Sequence, residues 1–398
     1  MAAPWQMHVI DNTSRGADGV RLWDANLDGL MDIATGWEEG GVIRTYLHPG
    51  KAHVKQPWPH TEVGQVKSPE DAVFVDLDGD GDSDVVSSCE GGVRTVYFHW
   101  SPANDPQRER LPWRTEAVPA TAKQQAWMFA LPMFLDAKGM DVVLGSKGAN
   151  ASVGWLRSPA NPRSVADWKY YRWYDAGWVM SLQQADLDHD GDMDVLVSDR
   201  KGAHAGVLWL ENPGEAELET KPEQRWKAHR IGCNGREVMF LSQTTRKQVV
   251  IRKSKVIKSF GLDFLTVNRT DAIYAAVKPN RVEVLRPGKD PRQPWASEVI
   301  EYPLAQYGTA KAARAADLDG DGQNEIVVTC EQANGVKSGA FYLKRVGERW
   351  EPRDIGGPKG LKYDRIELVD LDGDGDLDLL TCEERDFNAV LWYENPSK

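Results

Sequence analysis

Apolar residues along this chain gather in runs of about five, alternating or unbroken, and turn residues separate them, a pattern that predicts short β-strands rather than helices. One stretch shows the order. "DAVFV" at Asp71–Val75 leads into an acidic segment, "DVVSS" follows at Asp84–Ser88, "VRTVYFHW" at Val93–Trp100, and then "WRTEAV" at Trp113–Val118. These are four strand-like segments in one unit. The tryptophan that opens the fourth recurs at Trp5, Trp58, Trp113, Trp168, Trp226, Trp295 and Trp350, seven times at intervals of 53 to 69 residues. Counted from Trp350 through the C-terminus and round to Trp5 the interval is again 53, so the repeat closes on itself. Seven units of four strands predict an all-β, seven-bladed β-propeller spanning residues 1–398 as a single domain. The first unit opens with "WQMHVI" alone and the last stops at "AVLWYENP", so the strand at Trp5–Ile10 is expected to complete the last blade beside Leu391–Tyr393 and remove an open sheet edge.

A second count agrees with the first. Acidic runs begin at Asp24 ("DANLDGLMD"), Asp76 ("DLDGDGDSD"), Asp186 ("DLDHDGDMD"), Asp317 ("DLDGDGQNE") and Asp370 ("DLDGDGDLD"), while the segments around Asp136 and Gln243 keep the flanking apolar residues and lose most of the acids. Oxygens at alternate positions with glycine at position 6 suit a loop wrapped around one hard cation. About five structural calcium sites are therefore expected. The ligands would be Asp24, Asn26, Asp28 and Asp32; Asp76, Asp78, Asp80 and Asp84; Asp186, Asp188, Asp190 and Asp194; Asp317, Asp319, Asp321 and Glu325; and Asp370, Asp372, Asp374 and Asp378. A solvated acidic turn is the alternative. It leaves the recurrence of glycine and oxygen spacing without a cause.

Charge narrows the partners. A formal net charge of -12 over 398 residues disfavours nucleic acid and anionic membrane as partners. No apolar run is long enough to span a bilayer, and "MAAPWQMHVI" lacks the regions of a signal peptide, so the chain reads as soluble or as one whose export signal was removed. Cys89, Cys330 and Cys382 fall at equivalent places just past their acidic runs, which predicts free thiols at strand ends.

The acidic runs, together with "VLWLENP" at Val207–Pro213 and "VLWYENP" at Val390–Pro396, resemble the FG-GAP and VCBS-type repeats of integrin-like propellers. That resemblance implies a propeller with calcium in the hairpins joining first and second strands, ligands on the opposite face, and a secreted or periplasmic location. A remoter similarity, through the "WLENPG" strand, is to the propeller of aldos-2-ulose dehydratases. Their pocket zinc needs a histidine cluster that this sequence does not supply.

On the face opposite the acidic hairpins, the turns after the second strands would present Glu38, Glu90, Lys147, Arg200, Ser254, Glu331 and Glu384. The turns entering the first strands would add Asp18, Glu70, Asp71, Trp127, Trp178, Glu237, Tyr307, Lys311, Tyr363, Asp364 and Arg365. Aromatics among charges of both signs suit a carbohydrate or another polar small molecule. Trp127 and Trp178 fit packing between blades equally well. Two functional classes stay open. The first is a carbohydrate lyase or dehydratase acting by β-elimination, with Lys147, Arg200 or Lys311 stabilising an enolate and His204 or Tyr307 moving the proton; Glu38, Glu90, Trp127, Trp178, Glu331, Tyr363 and Glu384 would bind the ligand. The second is a non-catalytic adhesion module that binds a protein or glycan surface. No hydrolytic triad, zinc-protease or phosphate-loop motif is present.

Overall fold

Each apolar run forms a strand, and each set of four consecutive runs forms one antiparallel sheet. The protein, seen as a computed structural model, is described over residues 4–102, 112–136, 139–253 and 262–398. Seven four-stranded sheets form a ring of blades: 17–65, 69–117, 126–175, 179–232, 238–301, 309–354, and a seventh made of 367–394 with Gln6–Asp11. Burial sets the radial order. The second strands, such as Asp32–Trp37, Asp84–Cys89 and Asp378–Glu383, are buried along their whole length, whereas fourth strands such as Arg114–Ala117 and Ala296–Glu301 are largely exposed and form the rim.

The N-terminal strand closes the ring as the pattern required. Gln6–Asp11 runs antiparallel to Ala389–Glu394 with Met7 opposite Tyr393, His8 opposite Trp392 and Val9 opposite Leu391. Backbone bonds tie it to both neighbouring blades: Trp5 N–H donates to Ile355 O at 3.0 Å and Trp58 N–H donates to Ile10 O at 2.9 Å. The edge of Ala389–Glu394 is thereby covered, and the seventh blade gains the fourth strand that the other six have.

The acidic runs occupy the first-to-second strand hairpins of blades 1, 2, 4, 6 and 7. In each, the position-9 carboxylate holds the hairpin to the blade. Asp84 accepts from Leu77 N–H at 3.3 Å and Ser101 N–H at 2.8 Å, and Asp378 accepts from Leu371 N–H at 3.0 Å and Asn395 N–H at 2.9 Å. Blade 3 has lost the acidic run but keeps this anchor, since Asp141 accepts from Ser158 N–H at 2.8 Å. The "ENP" ending has the same logic. Asn212 and Asn395 give their backbone N–H to Asp194 and Asp378 and their side-chain amides to Met193 O and Leu377 O, locking third strand to loop.

Blade 5 departs from the expected pattern. Its first and second strands, Val238–Lys253 and Leu262–Val277, are each 16 residues long and stay paired to Lys253 opposite Leu262, forming a β-arm where the other blades carry a loop. The four cysteines are free and buried. The α-helix Glu215–Thr220 is six residues long, and no helix among the described residues is long and apolar enough to cross a membrane.

Candidate functional site

Every second strand ends at the axis in a charged residue. The seven are Glu38, Glu90, Lys147, Arg200, Lys278, Glu331 and Glu384. Ser254, expected at the blade-5 position, lies outside the described residues; because the arm displaces the register, the second strand of that blade ends at Val277 and Lys278 takes the place. The signs segregate around the ring. Blades 6, 7, 1 and 2 contribute glutamate, and blades 3, 4 and 5 contribute lysine or arginine.

Five of them, Glu38, Glu90, Lys147, Arg200 and Glu331, line a cavity of about 260 Å³ to which all seven blades contribute, with Met128, Phe129, Met180 and Phe240 as its apolar lining. Below it lie buried ion pairs: Arg21 grips Asp71 through two bonds of 2.7 and 2.8 Å, and Arg314 and Arg365 both meet Glu367. The cavity is a cup in the axial face, with these ion pairs between first strands further along the axis. Two clefts on the same face join it. One of about 480 Å³ shares Glu90, Lys147 and Trp178 with the cup and adds Arg94, Gln124 and Asn150; the other, of about 210 Å³, shares Glu331 and Lys362 and adds Gln332, Asn334 and Arg385. The first opens beside blades 2 and 3 and the second beside blades 6 and 7, so together they make a groove across the face.

Burial forces the charges into pairs. Lys147 meets Glu90 and lies 3.2 Å from Glu70; Lys278 meets Glu331; Lys362 meets Glu384; Lys311 lies 2.9 Å from Asp364. Burial raises Glu70, against the pull of Lys147, to about 8. Asp18 is pushed well above the carboxylate range by burial and by the neighbouring charges of Asp364 and Glu70. Burial would raise Asp364 too, but Lys311 and a hydrogen bond from Asp18 hold it down at about 2. Of the two, Asp18 holds its proton the more tightly, because Lys311 stands against Asp364. Lys278 is lowered, since burial outweighs the support of Glu331. Arg200 is the least committed cation, since among the described residues its carboxylate partner is the half-exposed Glu237, at 3.4 Å.

Of the residues expected at the site, Glu38, Glu90, Lys147, Trp178, Arg200, Lys311 and Glu331 line the cup, and Glu384 sits behind it on Lys362. Four others lie elsewhere. Trp127 is core, its indole N–H donating to Thr121 O at 3.0 Å. Tyr363 is fully buried and bonded to Tyr393 at 2.5 Å, and Tyr307 packs on Phe341 with ring centroids 4.0 Å apart. His204 stands on an exposed loop beside Tyr174. Lys147, Arg200 and Lys201 lie over the ring of Trp178 at 4.8, 4.5 and 4.8 Å, so the indole acts as a platform that aims cations. Lys278, Lys362 and the apolar lining were not foreseen. Counting one residue past each second strand finds Lys278 only once the arm is known.

In the acidic hairpins, the position-1 carboxylates shape the turn. Asp76, Asp317 and Asp370 each accept from the glycine N–H groups at positions 4 and 6, at 2.7 to 3.1 Å. Ligand oxygens of Asp76, Asp78 and Asp80, of Asp186, Asp188 and Asp194, and of Asp317, Asp319 and Glu325 each gather within 4.8 Å. Buried Asp186 Oδ1, Asp192 Oδ1 and both oxygens of Asp376 have no hydrogen-bond partner among the described residues. Basic side chains approach from outside the loops: Arg163 on Asp78, Arg292 on Asp188, Lys344 on Asp319 and Lys55 on Asp372.

Comparison with known proteins agrees with this architecture. Residues 24–87 match the FG-GAP-like repeat. No curated protein matches the sequence. Among solved structures, YCF48 from Cyanidioschyzon merolae aligns over all of both chains at 9% identity with a TM-score of 0.56. BBS1N, solved in complex with ARL6DN, aligns over 99% of this chain and 96% of its own at 10% identity and 0.53, and Saccharomyces cerevisiae Sqt1 over all of both chains at 9% and 0.52. At such identities the likeness concerns the fold alone. The chain folds as a seven-bladed β-propeller, and one stretch of it, residues 24–87, is similar to the FG-GAP-like repeat.

Proposed function

We propose that this propeller binds an acidic, hydroxyl-rich chain, an oligosaccharide bearing carboxylates, across its axial face. The observation that carries the reading is the set of charges of both signs lining the axial cup, among them Glu38, Glu90, Lys147, Arg200 and Glu331, continued on two sides by clefts. The cup has room for about one sugar unit, being at the small end of ligand pockets. The clefts extend it. Arg200, aimed by Trp178 and only loosely held by Glu237, would take a carboxylate, while Gln124, Asn150, Gln332 and Asn334 supply amides for hydroxyls.

A second reading, β-elimination from the bound uronate, is favoured by the Asp18–Asp364 pair beside Lys311. Ionised Asp364 would take the proton at C5, next to the sugar carboxylate, Lys311 would stabilise the enolate, and protonated Asp18 would give its proton to O4 as the C4–O bond breaks, releasing an alcohol and an unsaturated sugar. His204 and Tyr307 have no place in this reading, because neither lines the cup.

The acidic hairpins of the same protein fit calcium. The donors are hard oxygens, and the unpartnered buried carboxylate oxygens of Asp186, Asp192 and Asp376 would be compensated by a cation. Such loops fill where calcium is abundant, which supports an exported location.

Calorimetric titration of oligogalacturonate, with a neutral cello-oligosaccharide as control, tests the binding. Wild type should bind the acidic oligomer selectively, and Arg200→Ala should weaken it at least about tenfold, the size expected for losing a charge-assisted pair. Ultraviolet absorbance of an unsaturated product separates the two readings. Equal affinity in wild type and Arg200→Ala would replace both with the adhesion-module reading.

A further inference from the structure

We propose a second, independent site on the opposite face: a pocket at the base of the blade-5 arm that binds a tetrahedral oxyanion, a phosphate or sulfate group. The pocket holds about 210 Å³ and lies between the blade-4 acidic hairpin, the arm, and the loop after Arg281–Arg286. Its floor is apolar, formed by Leu187, Pro291 and Trp295. Three basic side chains, Arg246, Arg269 and Lys289, line it.

Two observations point to an anion. First, Arg246 and Arg269 are direct partners in the arm's strand register. Like charges placed opposite each other on neighbouring strands repel, and the arrangement is stabilised when an anion sits between them. Second, Arg269 is left without a counter-ion. Its Nε is buried with no hydrogen-bond partner, and no carboxylate among the described residues lies within ion-pair distance of its guanidinium. Such a buried donor costs about 1 to 3 kcal/mol if nothing accepts from it.

The carboxylates nearby are otherwise engaged. Asp271 lies 3.6 Å from Arg246 on the solvent side, Asp188 pairs with Arg292, and Asp290 accepts from the backbone of Arg292. At most one of the three positive charges is offset within the described residues. A guanidinium fork with a second arginine and a lysine suits the several oxygens of a tetrahedral anion better than a lone carboxylate. The cavity is wide enough for the ester that would carry it.

The test is titration of the full chain with inorganic phosphate and with sulfate at ionic strength matched by chloride. Saturable one-to-one binding is expected, weakened at least about tenfold by Arg269→Gln and clearly reduced by Lys289→Gln, whose side chain is exposed and whose loss leaves the fold intact. Should Arg269→Gln fail to melt cooperatively, Lys289→Gln alone decides. A phosphomonoester binding more tightly than a sulfated monosaccharide upholds the site and assigns it to phosphorylated ligands; the reverse upholds it for sulfated glycans. No saturable binding by wild type, or binding unchanged in the variants, overturns it. Arg200→Ala should leave this site untouched, so its failure and that of the axial groove are distinguishable.

Discussion

Replacing Ile10 by alanine removes a fully buried side chain from the strand that closes the ring. Large-to-small changes at such positions cost about 2 to 5 kcal/mol, the lost transfer energy plus that of the cavity left behind. Deleting residues 1–11 should do far more. It exposes the faces that Trp5 and Ile10 cover, worth about 1.5 to 3 kcal/mol for each large apolar side chain. It also removes the antiparallel bonds to Ala389–Glu394, at about 1 kcal/mol each. The total approaches the whole stability of a folded domain, about 5 to 15 kcal/mol. Urea unfolding followed by tryptophan fluorescence reads both, since tryptophans sit in every blade. Val299→Ala is the control. Val299 lies on a fourth strand but is half exposed, and its loss should cost below about 1 kcal/mol. An Ile10→Ala variant no less stable than Val299→Ala, or a truncated chain that unfolds at the wild-type urea concentration, would refute the closure.

Two further outcomes follow from the charges. Excess EGTA should lower the melting temperature and added calcium restore it, because each site filled at a hundredfold excess over its dissociation constant adds about 2.7 kcal/mol; an unchanged curve would remove calcium from the account. Glu70, raised by burial to about 8, gives stability that is full below the ordinary glutamate value near 4.5 and is lost as pH rises through 8. Glu70→Gln should therefore raise the melting temperature relative to wild type at pH 8 more than at pH 4.5. An equal difference at both would show that Glu70 titrates normally.

The blades were legible in the sequence because strand period, the tryptophans and the acidic runs repeat in phase. Closure by Gln6–Asp11 followed from the count alone. What failed was register in blade 5, where a longer hairpin keeps the same alternation, so nothing local marks the axial turn at Lys278. Tyr307 and Tyr363 looked like pocket residues because they stand at the entry to first strands. Their rings turn into the core instead, where Phe341 and Tyr393 receive them. Trp178 lines the cup where it was expected, and three cations lie over its ring. The opposite shifts of Asp18 and Asp364 follow from Lys311 lying 2.9 Å from Asp364, a distance no sequence pattern encodes. Position 9 of the acidic loops carried a second meaning, as the anchor of third strand to hairpin, and blade 3 isolates it, since there the loop is gone and the aspartate remains.

The most direct measurement of the central claim is a crystal structure of the full chain grown with calcium and an oligogalacturonate. The account predicts a sugar unit in the axial cup with its carboxylate on Arg200, and further units in the cleft beside Glu90 and Lys147 or in the one beside Glu331 and Lys362. Saccharide bound anywhere else on the ring, with the cup holding only water, would contradict it.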